Sequence, residues 1–121
     1  MANFKKHPKG FFHKTISDSQ MEIGYDDLTF KLSYIKEGNV LQVENIDTNR
    51  THTNENTLAR VLKGLLHFEV MLAPESIIVI LKNSDNLLEK MIIAHHLALG
   101  YASTEGVTNQ FNTTILFKYA K

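Results

Sequence analysis

The sequence predicts an α/β (α+β) protein with one mixed β-sheet and helices on the sheet faces. Three observations predict this class. Apolar and polar residues alternate along two neighbouring stretches, 21–25 and 28–34, as they do in half-buried strands. Apolar residues at helical spacing begin at Leu58. The run "IIVIL" at 77–81 is apolar at every position, which is typical of a strand buried inside a sheet.

The first half of the chain predicts an antiparallel meander of three strands. Residues 21–25 and 28–34 form the first two. The stretch "KEGN" (36–39) is a hairpin turn, because Gly38 is free to adopt a positive φ. "VLQVENI" (40–46) is the returning third strand.

The second half predicts strand–helix units. The first helix cannot continue through Pro74, and the apolar stretch 76–82 then predicts a central strand covered on both faces. The second helix ends where Gly100 suits a helix C-terminus. The last strand, 113–120, is long and rich in β-formers, so we expect it to favour self-association through the sheet or its own edge. The predicted order is β-β-β-α-β-α-β.

Composition narrows the class of protein. Residues 1–15 predict a basic N-terminal arm, either mobile or docked through its Phe residues, and residues 16–121 predict a single domain. The chain has 13 basic and 13 acidic residues, so broad nucleic-acid binding is not expected, although the basic stretch 5–14 leaves a local contact open. No apolar run predicts a membrane span, and the absence of Cys is typical of a cytoplasmic protein.

Three motifs carry a resemblance to a known family. They are "VLQVENID" followed by Arg50, "SIIVILKN" ending at Asn83, and "HHLALGY" at 95–101. They resemble the fourth strand with the start of the acyl-CoA loop, the fifth strand, and the end of the next helix in the GNAT N-acetyltransferase superfamily. The resemblance covers roughly residues 21–120. It implies a GNAT-like core with an acyl-CoA cleft.

The loop at 45–56, "NIDTNRTHTNEN", departs from the family pattern. Family members place glycines there, so that backbone N–H groups can approach the CoA pyrophosphate closely. Here Arg50 keeps the first place of the motif, but Thr53 and Glu55 occupy the glycine positions. We therefore expect no cofactor, with acetyl-CoA as the alternative. If acyl-CoA binds, the resemblance implies contacts from Arg50, Thr51, Thr53, Asn54 and Asn83.

Two residues are candidates for catalysis. The resemblance places His96 where family enzymes carry a Tyr that acts as general acid, and Glu44 where some carry a general base. The alternative is that His96 is a core-edge or helix-surface residue and that Glu44 is a solvent-facing strand residue. The other histidines are scattered, and adjacent His95 and His96 point about 100° apart on a helix. We therefore expect no metal site.

Two functions remain open. The first is a non-catalytic GNAT-like interaction or regulatory module that binds a protein partner, with homo-oligomerisation possible through the sheet. The second is a small acyl-CoA-dependent N-acyltransferase that uses Glu44 and His96. The balanced charge and the missing loop glycines favour the first.

Overall fold

The structure is a computed structural model that describes residues 11–25, 28–46, 55–82, 86–104, 107–108 and 112–120. Four strands precede the first helix: β1 (Phe11–Thr15), β2 (Gln20–Tyr25), β3 (Leu28–Ile35) and β4 (Val40–Asn45). Helix α1 (Glu55–Leu72), strand β5 (Ser76–Lys82) and helix α2 (Asn86–Ala98) follow. Strands β6 (Tyr101–Ser103), β7 (Val107–Thr108) and β8 (Asn112–Tyr119) complete the described elements.

The strands form one mixed sheet in the order β1-β2-β3-β4-β5-β8-β6, with β7 paired to β8. The β4–β5 pair is parallel and the other described pairs are antiparallel. A mixed sheet with two helices is therefore confirmed. The predicted order β-β-β-α-β-α-β omits β1, β6 and β7. Strands β6 and β7 are only three and two residues long, too short to show a periodic pattern.

Strand β1 changes the interpretation of the N-terminal arm. It pairs antiparallel with β2, from Phe11 opposite Tyr25 to Thr15 opposite Met21. The last five residues of the predicted arm are therefore part of the sheet. Residues 1–10 lie outside the described residues.

The hydrophobic core lies on one face of the sheet, between the sheet and both helices. Leu58 and Leu65 of α1 and Ile92 of α2 belong to the same buried cluster as Val43 of β4 and Val79 of β5. Alternate strand residues point away from this cluster. Among the described residues, no helix covers that second face, which we call the open face.

The position of β5 is confirmed, but its expected cover on both faces is wrong. The strand lies between β4 and β8, in the middle of the sheet. Ile77, Val79 and Leu81 are fully buried, whereas Ile78 and Ile80 are partly exposed on the open face. A run of apolar residues in a strand thus indicates that the strand lies in the middle of a sheet. It does not indicate whether helices cover both faces of that sheet.

Backbone conformation explains where the elements end. Gly38 has φ 92° in the β3–β4 turn, as the sequence predicts, and Gly100 has φ 97° immediately after α2. A Cβ at Gly100 would lie 3.2 Å from the Tyr119 ring, so the position also lacks room for a side chain. Helix α1 ends at Leu72, two residues before Pro74.

Strand β8 is not an edge of the sheet. It pairs with β5 on one side and with β6 and β7 on the other. On the side away from β5, β6 and β7 pair with Thr113, Thr114 and residues 117–119, so β8 is not the free edge strand that the sequence predicts. Self-association of the chain stays a prediction. Within the described residues, no helix combines the length and apolar character needed to cross a membrane.

Candidate functional site

Three polar residues meet inside the largely apolar layer between the sheet and the helices. We call Glu69, His95 and His96 the core triad. Glu69 is 2% exposed and His96 is 0% exposed. Glu69 continues the apolar positions of α1 at helical spacing after Leu58, Leu62 and Leu65, so the helix that buries those leucines also buries its carboxylate.

Each carboxylate oxygen of Glu69 contacts one imidazole. His95 Nε2 lies 2.7 Å from Oε1, and His96 Nε2 contacts Oε2. The other ring nitrogen of His96, Nδ1, lies 2.9 Å from the backbone oxygen of Ile92. A carbonyl oxygen can only accept, so Nδ1 must carry a hydrogen and donate it. In neutral His96 the Nε2 lone pair then points at a carboxylate oxygen. These two acceptors stay in contact only if a proton or another cation lies between them.

The surroundings of Glu69 favour its ionised form. Burial alone raises the pKa of this carboxyl group. The hydrogen bonds to His95 and His96, together with the positive charge of these rings when protonated, outweigh burial and hold the pKa of Glu69 below its usual value of 4.5. Glu69 is therefore an anion at neutral pH, inside the core.

Aromatic side chains enclose the core triad. The rings of His96 and Phe117 stack with their centroids 4.5 Å apart and their planes at 29°. Tyr101 donates a 2.5 Å hydrogen bond to the backbone oxygen of Pro74. Burial, followed by the charge of Glu69 and by Tyr119, raises the pKa of Tyr101 to about 12. Tyr101 therefore stays a neutral hydrogen-bond donor throughout the physiological range.

A cavity of about 280 Å³ lies beside the triad. Glu69, Glu75, Tyr101 and Tyr119 contribute its polar groups, and the remaining lining residues are apolar. A second cavity, of about 400 Å³, lies between the β1–β2 turn and the end of α1. Asp18 is the only acidic or basic residue among the described residues that line it, so the first cavity is the one that borders the core triad and its ionisable groups.

The two candidate catalytic residues are not brought together. His96 stacks on Phe117, which faces the helices, whereas Glu44 pairs in register with Ile80 on the open face. Glu44 also forms an ion pair with Lys82, with Nζ and Oε2 2.8 Å apart. The sheet therefore separates the proposed acid from the proposed base.

The residues that the resemblance implies for acyl-CoA binding lie outside the described part of the chain: Arg50, Thr51, Thr53, Asn54 and Asn83. The strand ends beside those segments are described. The Asn45 side chain bridges the ends of β4 and β5. Its amide oxygen accepts from Lys82 N–H at 2.6 Å, and its amide nitrogen donates to the Lys82 carbonyl at 3.1 Å. This side chain continues the parallel pairing of β4 and β5 beyond the last backbone pair, Glu44 with Ile80.

The Asn45 contacts lead to a stability prediction. Asn45 is 3% exposed, so Asn45→Ala leaves the partly buried N–H and C=O of Lys82 without this partner, and we expect a loss of about 1–3 kcal/mol. Asn45→Asp is the matched control, because it keeps the acceptor for the N–H but turns an oxygen toward the Lys82 carbonyl. Urea denaturation measures both variants. An alanine variant as stable as the parent would contradict the role given to this amide.

Sequence reasoning missed Glu69, although a signal for it exists. A carboxylate at an apolar position of an amphipathic helix must be buried together with its partners. The angle between adjacent His95 and His96 does not keep their rings apart in space, because Glu69 on the other helix offers one oxygen to each. The two-helix contact that unites the triad is tertiary, so spacing along one helix cannot reveal it.

Comparison with known proteins adds little to this geometry. No family model matches the chain, and a search of curated proteins finds no match. Among solved structures, the crystal structure of nourseothricin acetyltransferase aligns with a TM-score of 0.48 and 12% sequence identity, over 84% of this chain and 65% of that chain. The chain thus spans less than two thirds of that protein, and we base no statement about activity on the match.

Proposed function

We propose that this chain is a non-catalytic module with a GNAT-like arrangement of strands and helices, and that it binds a protein partner. One observation carries the proposal. The residues that would act as base and acid, Glu44 and His96, lie on opposite faces of the sheet, and His96 has no exposed surface. A general acid must reach the atom that it protonates.

The hydrogen bonds of His96 support the same conclusion. Its two ring nitrogens are engaged by Glu69 and by the Ile92 carbonyl, so neither is free to protonate a leaving group. Glu44 is likewise held by Lys82, and Asn45 occupies the gap between the ends of β4 and β5. An acyltransferase would need to break all of these contacts during each catalytic cycle.

The open face has the character of a protein-binding surface. Charged residues of opposite sign pair across its strands, Glu22 with Lys31 and Lys31 with Glu44. Ile78 pairs with Leu116 next to them. Alternating charges beside a small apolar area suit a partner protein with an apolar patch and a mixed-charge rim. They do not make the continuous positive surface that nucleic acid requires.

The first test is cofactor binding. We expect acetyl-CoA to leave the melting temperature and the calorimetric titration unchanged, because Thr53 and Glu55 occupy the positions where the resemblance implies glycines that let the backbone approach the pyrophosphate. A ligand present at a hundred times its Kd would instead stabilise the protein by about 2.7 kcal/mol. Stabilisation by acetyl-CoA, together with acetyl transfer to an amine, would replace this proposal with the small N-acyltransferase.

The second test concerns the partner. Ile80→Lys places a charge in the apolar part of the open face, and Val70→Lys places the same charge at a 63% exposed position of α1 on the other side. We expect a native partner to be captured by the parent and by Val70→Lys, but not by Ile80→Lys. Equal capture by all three proteins would exclude the open face. Sedimentation of the parent and Ile80→Lys shows whether the partner is a second copy of this chain.

A further inference from the structure

We propose that the core triad binds a divalent transition-metal ion, zinc by its donor set, and that this ion joins α1 to α2. The sequence alone favours the absence of a metal site. The arrangement of Glu69, His95 and His96 reverses that expectation.

The hydrogens of His96 place a lone pair opposite the Glu69 carboxylate. The Ile92 carbonyl fixes the hydrogen of His96 on Nδ1, which leaves the lone pair on Nε2. That lone pair faces a carboxylate oxygen of Glu69 in a region with no exposed surface. Two acceptors in contact repel each other unless a cation lies between them. A metal ion between His96 Nε2 and the carboxylate supplies that charge, as a proton in the same place also would.

The three side chains of the core triad also offer donor atoms of the kind and spacing that a metal ion needs. One oxygen or nitrogen atom from each member of the triad lies within 4.8 Å of the others. Two imidazole nitrogens and one carboxylate are a donor set that zinc takes in proteins. The hydrogen bond from His96 Nδ1 to Ile92 is also the outer contact that orients most metal-bound histidines. Zinc–ligand bonds of about 2.0–2.2 Å separate neighbouring ligand atoms by roughly 3.4 Å. Ligation thus lengthens the His95–Glu69 contact from 2.7 Å by rotation of side chains.

Access to the ion would come from the cavity beside Glu69. Three protein ligands leave one position of a tetrahedral zinc ion for water. The cavity of about 280 Å³ is lined by Glu69, so water can approach this carboxylate from the cavity side.

The test uses tag-free protein stripped with a chelator. We expect zinc to bind in a one-to-one ratio by calorimetric titration and to raise the melting temperature. Cobalt(II) should give the visible absorption of a four-coordinate site. Glu69→Gln removes the anionic ligand but keeps its shape, and should lower zinc affinity by at least about tenfold, a loss that even outer-shell substitutions cause. His67→Gln, on the exposed surface of α1, is the matched control and should bind like the parent.

Nitrogen NMR of the parent protein shows, without any variant, whether His96 Nε2 is bound to a metal ion or to a hydrogen. With zinc bound, Nε2 of His96 should show the shift of a metal-bound nitrogen, while Nδ1 keeps its hydrogen. The proposal is overturned if zinc does not bind and both ring nitrogens carry hydrogen, since the cation between His96 and Glu69 is then a proton. It is also overturned if Glu69→Gln binds zinc as tightly as the parent.

Discussion

Glu69→Ala should destabilise the protein by about 3–5 kcal/mol, the usual loss when one partner of a buried charged pair is removed. The alanine leaves His95 and His96 facing a cavity without an acceptor. Small domains have a total stability of about 5–15 kcal/mol, so this single change removes a large fraction of it. Chemical denaturation in the presence of a chelator measures the loss without any contribution from metal.

Glu69→Gln is the informative companion to this variant. Its amide oxygen can accept from His95, and its amide N–H can donate to the lone pair of His96, so both rings keep a partner without any additional proton. We therefore expect the glutamine variant to keep most of the stability that the alanine variant loses. Equal losses for the two variants would show that the negative charge, and not the hydrogen bonding, holds the helices together.

The second large effect is expected at Phe117, which is fully buried on the helix-facing side of β8. Phe117→Ala should cost about 3–5 kcal/mol, because it opens a cavity between the sheet and α2. The same change also removes the ring that stacks on His96. Lys118→Ala is the control on the same strand, since Lys118 is exposed and surface substitutions usually change stability by less than about 0.5 kcal/mol. If the two variants melted at the same temperature, the burial of Phe117 between the sheet and the helices would be contradicted.

The sequence was a good guide to the long elements. Alternation identified β2 and β3, the hairpin turn at Gly38 identified β4, and helical spacing with Pro74 and Gly100 identified both helices and where they end. The sequence did not predict β6 and β7. These short strands are defined by their pairing with β8 and not by a pattern of their own. Local pattern is informative where a segment buries its own periodic face. It is silent where a few residues are ordered by their neighbours.

The site was harder to predict than the fold. His96 was recognised as a residue of interest, but for a role that needs an accessible ring, and it proves to be buried. Glu69 lies at an otherwise apolar position of α1 and was not recognised as a site residue. The contact between these two residues joins positions on different helices, so it depends on how α1 and α2 pack against the sheet. A single sequence contains no direct record of that packing.

The position of β5 in the middle of the sheet also determines the order in which the protein can assemble. Strands β1 to β4 pair with their neighbours in the chain, as Tyr25 does with Leu28, so this part needs only short loops to close. Strand β5 makes long-range pairs instead. Its Ser76 pairs with Val40, which precedes α1, and with Lys118, which follows α2. Long-range pairings form more slowly than local ones. During synthesis, the backbone groups of β4 that will pair with β5 therefore stay unpaired until β5 has been made. We expect a newly made chain to be most prone to aggregation during that interval.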